Sequence, residues 1–103
     1  MNGKCLIIAA DGTETEMDFD HVPTLEEMKA AIGGGYIEFV PYFETFRGVE
    51  CVAIGDEEAK IKRMPLNRKA TEHWHNQVRI GDYLSGPIAI YYGDDEFFLA
   101  VSS

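Results

Sequence analysis

The feature that most constrains this chain is a two-residue alternation just after its first apolar run. KCLIIAA, Lys4 to Ala10, is apolar beyond its lysine and reads as a buried strand. Asp11-Gly12 follows, and Asp-Gly beside such a run is a hairpin signal because both positions tolerate positive φ. In the next segment, TETEMDFD, Thr13, Thr15, Met17 and Phe19 alternate with Glu14, Glu16, Asp18 and Asp20. A strand places these two sets on opposite faces, one apolar and one wet. The N-terminal segment is therefore committed to antiparallel pairing.

The rest of the chain can be read from its breaks. His21-Val22-Pro23 closes the hairpin. Thr24 and Glu27 have the spacing of a capping box, and Leu25, Met28, Ala31 and Ile32 share one helical face. A helix over about 24–33 is expected, stopped by Gly33 to Gly35. Tyr36 to Phe43 alternates as a strand, with Pro41 at a bulge, an edge or the strand's end. Gly48 marks a turn, and Glu50 to Asp56 is another strand. EEAKIKRM reads as a turn with a short strand, ended by Pro65. A second short helix is expected over about 66–75, with Asn67 as its N-cap. NQVRIGDYLSG reads as a loop with irregular pairing, and Ile88 to Tyr92 is a clear strand. Gly93-Asp94-Asp95 then turns the chain, and EFFLAV is expected to return as the final strand. The expectation is a single α+β domain over residues 1–103, with a small, mainly antiparallel sheet of five to six strands.

Such a domain can close a core without a staple. Hydrophobic residues make up 46 % of the chain, and twelve aromatics each bury a large area. Cys5 and Cys51 have no CxxC spacing and read as buried small hydrophobes. CLIIAA is too short for a signal-peptide core or a membrane span, so a cytoplasmic location is expected. The net charge is −9, and residues 1–59 hold thirteen of the eighteen acids. That balance repels nucleic acid and membrane surfaces and attracts a basic protein surface, though acidity also serves solubility alone.

Several pieces, in this order, resemble a family of small proteins from phages, plasmids and integrated elements catalogued as a domain of unknown function. They are Gly34 to Glu38 with Val40 and Pro41, the turn at Glu57 and Glu58, PxNRxA at Pro65, Asn67, Arg68 and Ala70, and Asp82, Tyr83, Leu84 and Gly86 before an apolar strand. The resemblance runs from about residue 4 to residue 93. It implies a mobile-element origin and no established activity. The basic pair Lys62-Arg63 stands where that family often has a glycine, and the EFFLAV ending departs from its general pattern.

Two stretches are candidate sites. The four acids Glu14, Glu16, Asp18 and Asp20 would sit roughly 6.8 Å apart along one strand face, similar to phosphates along a nucleic-acid strand. Glu26 and Glu27 would add rim charges. The alternative is an ordinary solvated face or a charge-protected edge. The second stretch is basic: five of nine Lys and Arg residues fall between Lys60 and Ala70. There Arg68 could fork onto a phosphate or carboxylate, with Asn67, Lys60, Lys62 and Lys69 around it. The alternative is that Asn67 caps a helix and Arg68 pairs with Asp82 or Glu38.

HWH, His73 to His75, does not make a metal site on a helix, because i and i+2 diverge and no third ligand is evident. No cofactor is implied, and none of the common catalytic motifs is present. The leading expectation is a non-enzymatic acidic accessory protein of a mobile element. It would bind a host protein with a basic surface, such as a nucleic-acid-binding defence system, through the acid row. The alternatives are a module for an anionic ligand, such as a nucleotide, at PLNRKA, or a homo-oligomeric domain pairing through EFFLAV.

Overall fold

The computed structural model describes all residues, Met1–Ser103. Its centre is a five-stranded sheet in the order β2-β1-β7-β6-β3, with every neighbouring pair antiparallel. The strands are β1 (Gly3–Ile8), β2 (Glu14–Phe19), β3 (Ile37–Phe39), β6 (Val52–Asp56) and β7 (Ile88–Gly93). A separate two-stranded ribbon is formed by β4 (Thr45–Phe46) and β5 (Val49–Glu50). The helices are α1 (Leu25–Ala31), α2 (Arg68–His75) and α3 (Asp95–Ser102). The architecture is a small α+β domain, as the alternation and caps indicate.

The sheet divides the core in two. On one face Leu6, Ile8, Ile88 and Ile90 pack with Ala70 and Trp74 of α2 and with Phe43 and Phe46. On the other, Cys5, Ala89 and Tyr91 pack with Met28 and Ala31 of α1 and Phe97 and Val101 of α3. Each fully buried Ile or Phe in these layers contributes about 1.5–3 kcal/mol over an exposed one. The two free thiols lie on opposite faces, Cys5 with the α1–α3 layer and Cys51 with the α2 layer.

The caps expected around α1 are met, although the helix ends at Ala31 and Leu25, expected on its apolar face, is exposed. Thr24 accepts from the Glu27 N–H at 3.1 Å, and the Glu27 carboxylate accepts from the Thr24 N–H at 2.9 Å. At the other end the Gly34 N–H reaches the Lys29 carbonyl at 2.7 Å, with Gly33 and Gly34 both at positive φ. The β4–β5 turn places Arg47 (φ 52°) and Gly48 (φ 82°) in the left-handed region, which is the two-residue turn that suits strand twist.

Several elements correct the expectation: the strand expected over Tyr36 to Phe43 is limited to Ile37–Phe39, Glu50 belongs to β5 with β6 starting at Val52, and the final segment changes type. EFFLAV is not a strand but part of α3. Asp94 accepts from the Phe97 N–H at 2.9 Å as its N-cap, and Asp95 and Glu96 fill the first turn. Phe97 and Val101, four apart, face the core. The ring of Phe97 lies so close to the main chain that a Cβ on Gly3 would fall 2.3 Å from it, so the glycine is required there. No sheet edge exists at EFFLAV, and the homo-oligomer expected through it loses its basis. EEAKIKRM forms turns without a strand, and the loop before β7 pairs irregularly through a Leu66–Ser85 bridge.

Candidate functional site

The acid row lies on the sheet face that also carries α2, and its members are matched from within. Glu14 is held by both terminal guanidinium nitrogens of Arg47, at 3.1 and 2.6 Å, and by Lys69 at 2.9 Å. Arg47 foremost, and then Lys69, brings the Glu14 carboxyl down to about 2. Glu16 accepts from the Tyr92 hydroxyl at 2.9 Å and from Lys4 at 3.3 Å. Asp18 takes the same lysine at 2.9 Å. Asp20 lies beyond β2 and bonds His21 at 2.8 Å, while Glu27 reaches the other ring nitrogen at 2.9 Å. Only Glu26 of the six residues has no ion pair or side-chain hydrogen bond.

The basic stretch is engaged in the same way. Asn67 is wholly buried. Its amide donates to the carbonyls of Ile8 and Gly86, both at 2.9 Å, and its side-chain oxygen caps α2 through the Ala70 N–H at 3.1 Å. No donor of Asn67 is left for an anion. Lys60 pairs with Asp82, Lys62 with Asp56 at 2.7 Å, and Lys69 with Glu14 and the Gly12 carbonyl. Arg68 pairs with neither Asp82 nor Glu38; it is exposed and has no ionic partner. One unpartnered arginine at a helix start does not assemble the anion site that five residues together would have made.

The His73 and His75 rings diverge, one onto Phe46 with centroids 4.4 Å apart, the other bonding the Asp82 carbonyl at 2.7 Å. No three His, Cys, Asp or Glu side chains converge as a metal ligand set.

A different place combines shape and free charge. A cleft of about 340 Å³ opens between the β3–β6 end of the sheet and the loops around Lys60 and Asp82. Its apolar lining includes Val40, Trp74, Ile80, Leu84 and Ile88. Trp74 is fixed there by its indole N–H, which donates to the Pro41 carbonyl at 2.8 Å. Glu38, Glu57 and Asp82 stand along the cleft with Lys60. Asp82 is bound to Lys60, whose ammonium also sits 4.3 Å from the Tyr83 ring centroid. Glu38 and Glu57 are exposed and have no ion pair. A wider depression of about 760 Å³ beside Asp18 and Asp20 has only two apolar residues among eight, so it offers no comparable floor.

The cleft's end is built by a close packing of glycine and acid. Asp56, with a side chain only 2 % exposed, accepts from Lys62 and from the Glu58 N–H at 2.8 Å. Burial opposes its ionisation, but those donors hold its carboxyl below the usual value. A Cβ on Gly35 would lie 2.3 Å from the Asp56 carboxylate oxygen, so only glycine fits.

A family model for a domain of unknown function, DUF3846, matches residues 2–103. The chain belongs to that family. No curated protein and no solved structure matches it. Within this DUF3846 chain, two of the segments that carried the resemblance meet in space. The Asn67 N–H bonds the Leu84 carbonyl at 2.8 Å and the Gly86 N–H bonds the Pro65 carbonyl at 2.8 Å, so PLN and LSG are mutually paired. Ala70 is buried, and Gly86 sits at φ 73°, where a Cβ would fall 2.8 Å from the Met64 sulfur. In this member of DUF3846, these residues brace α2 against β1 and frame the cleft. Sequence reasoning missed the cleft because its walls come from four separate segments; the one local sign was the aromatic and acidic mixture of GGYIEFVP.

Proposed function

We propose that this domain is a non-enzymatic binding module for a basic segment of a partner protein, received at the cleft beside Trp74. The carrying observation is the pairing of an apolar floor with two carboxylates, Glu38 and Glu57, that no cation of the chain neutralises. The stem of a lysine or arginine would cover the floor while its charge meets those carboxylates. The net charge of −9 steers such a partner and repels nucleic acid. The expected partner remains a protein that itself handles nucleic acid, such as a host defence factor, because its basic groove is the natural complement of this charge. The engagement of Glu14, Glu16 and Asp18 by internal cations moves the proposed docking residues from the β2 row to the cleft.

Trp74, the only tryptophan, reports on the cleft directly. Titration with a short lysine-rich peptide at low salt should change its fluorescence, and raising the salt should weaken the response. Glu38→Gln with Glu57→Gln should abolish it, while amides at Glu14, Glu16, Asp18 and Asp20 should leave most of it. A response that survives the first pair and vanishes with the second set would return the site to β2.

A further inference from the structure

The sheet has two open edges, and they differ. At β3 the register pairs Ile37 with Asp56, Glu38 with Gly55 and Phe39 with Ile54. The Glu57 N–H bonds the Tyr36 carbonyl and the Val40 N–H bonds the Ala53 carbonyl, both at 2.9 Å. In an antiparallel ladder the bonded pairs alternate. Tyr36, Glu38 and Val40 therefore turn their main-chain groups toward β6. Ile37 and Phe39 turn theirs outward, each presenting one donor and one acceptor with no strand beyond.

Exposed aromatics flank this edge: Tyr36 is 65 % exposed, Phe39 52 % and Tyr42 61 %. Tyr42 is held at φ 63°, a conformation that costs a non-glycine residue on the order of 1 kcal/mol. At the opposite edge, the outward main-chain groups of β2 belong to Glu14, Glu16 and Asp18, whose side chains already hold cations. Charge guards that edge, as it commonly does. The β3 edge has a single acid, Glu38, and that acid is free.

We infer that β3 accepts an extended antiparallel strand of alternating basic and apolar residues from the partner. This rests on the proposed reading of the domain as a binder of basic segments. Side chains directly opposite each other share a face. The residue opposite Glu38 thus projects to the cleft side and is basic. The residues opposite Ile37 and Phe39 project to the other face, against those apolar side chains, and are apolar. A second copy of this chain is the poorer occupant. Antiparallel self-pairing that sets Ile37 against Phe39 places Glu38 opposite Glu38, and each copy brings a charge of −9.

The test uses the whole chain, isotopically labelled for NMR, and a capped peptide of alternating valine and lysine. A second peptide is N-methylated on alternate residues, keeping its charge but removing strand donors. The expected result is slowed amide exchange at Ile37 and Phe39, and binding of the first peptide about tenfold or more tighter than the second, from loss of two or more hydrogen bonds. Equal binding of both peptides, with the Trp74 response intact, would overturn strand addition and leave the basic-segment reading standing. Protection at β2 in place of β3 would also overturn it. Failure of both peptides to bind at low salt would overturn strand addition and the basic-segment reading together.

Discussion

The side-chain amide of Asn67 donates to the main-chain carbonyl of Ile8 at 2.9 Å, tying the start of α2 to the end of β1 across the sequence. The same amide reaches Gly86, so one buried side chain joins three segments. Asn67→Ala removes the α2 cap and orphans two carbonyls, and should lower stability by about 3 kcal/mol in denaturant unfolding. Asn67→Asp keeps the cap but loses both donors, and should be nearly as damaging. A change below about 0.5 kcal/mol for either variant would contradict this role.

Glu14 sets part of the acid limb of stability. Its carboxyl stands near 2 against an ordinary 4.5, mainly because Arg47 and then Lys69 bond it. A depressed carboxyl contributes stability above its unfolded value and loses it as pH falls from about 4.5 toward about 2. Glu14→Gln should therefore be less stable than the parent at neutral pH, with the difference shrinking on acidification. Parallel curves for the two proteins from pH 6 to pH 2 would refute the assignment.

His21 and His73 should titrate on opposite sides of the ordinary histidine value. Hydrogen bonds that His21 donates to Asp20, then Glu27, raise its value, whereas burial and then Arg47 lower that of His73. The His21 contribution is thus present below about 6.5 and fades as pH rises through its folded value. For His73, stability is lost as pH falls through 6.5, because the unfolded chain takes up the proton first. Ring-proton shifts followed by NMR check the order, and Asp20→Asn should bring His21 down.

The hydroxyl of Tyr91 is buried beside the Cys5 thiol, a weak partner at best, and makes no geometrically sound hydrogen bond. Burial pushes its ionisation far up. Tyr91→Phe removes that unmet group and should be neutral or stabilising by up to about 1 kcal/mol, measured as a change in Tm. Marked destabilisation would show that the contact with the Cys5 thiol is a net stabilising hydrogen bond.

Lys60 occupies the cleft rim as an internal cation, bound to Asp82 and lying over Tyr83. Lys60→Met frees both groups for an incoming lysine or arginine. Affinity for a basic peptide should rise, by up to about fivefold for an exposed pair of this kind. A fall in affinity would mean that Lys60 itself contacts the ligand.

The misreading of EFFLAV shows where sequence signals compete. Aromatic and β-branched residues after Gly-Asp-Asp favour a strand, but Asp94 as cap, two acids in the first turn and the Phe97–Val101 spacing favour a helix. The tie is broken by the groove at Gly3 and Gly93, where the Phe97 ring lies against main chain. The acid row shows a different limit. Its alternation is visible, but its neutralisation by Lys4, Arg47 and Lys69 depends on residues from β1, the β4–β5 turn and α2. The basic stretch is the mirror case, since Lys60, Lys62 and Lys69 each find an acid elsewhere in the fold.

By itself the sequence determined the α+β class, the hairpin, the α1 capping box, the glycine stop and the Asn67 cap. These depend on residues two to five apart, where the chain's own geometry decides the contact. The tertiary structure alone decided which charges are satisfied, which sheet edge is open and where free carboxylates face an apolar floor. Those outcomes turn on groups brought together from distant segments, and the same residue types would have formed other pairs in another packing.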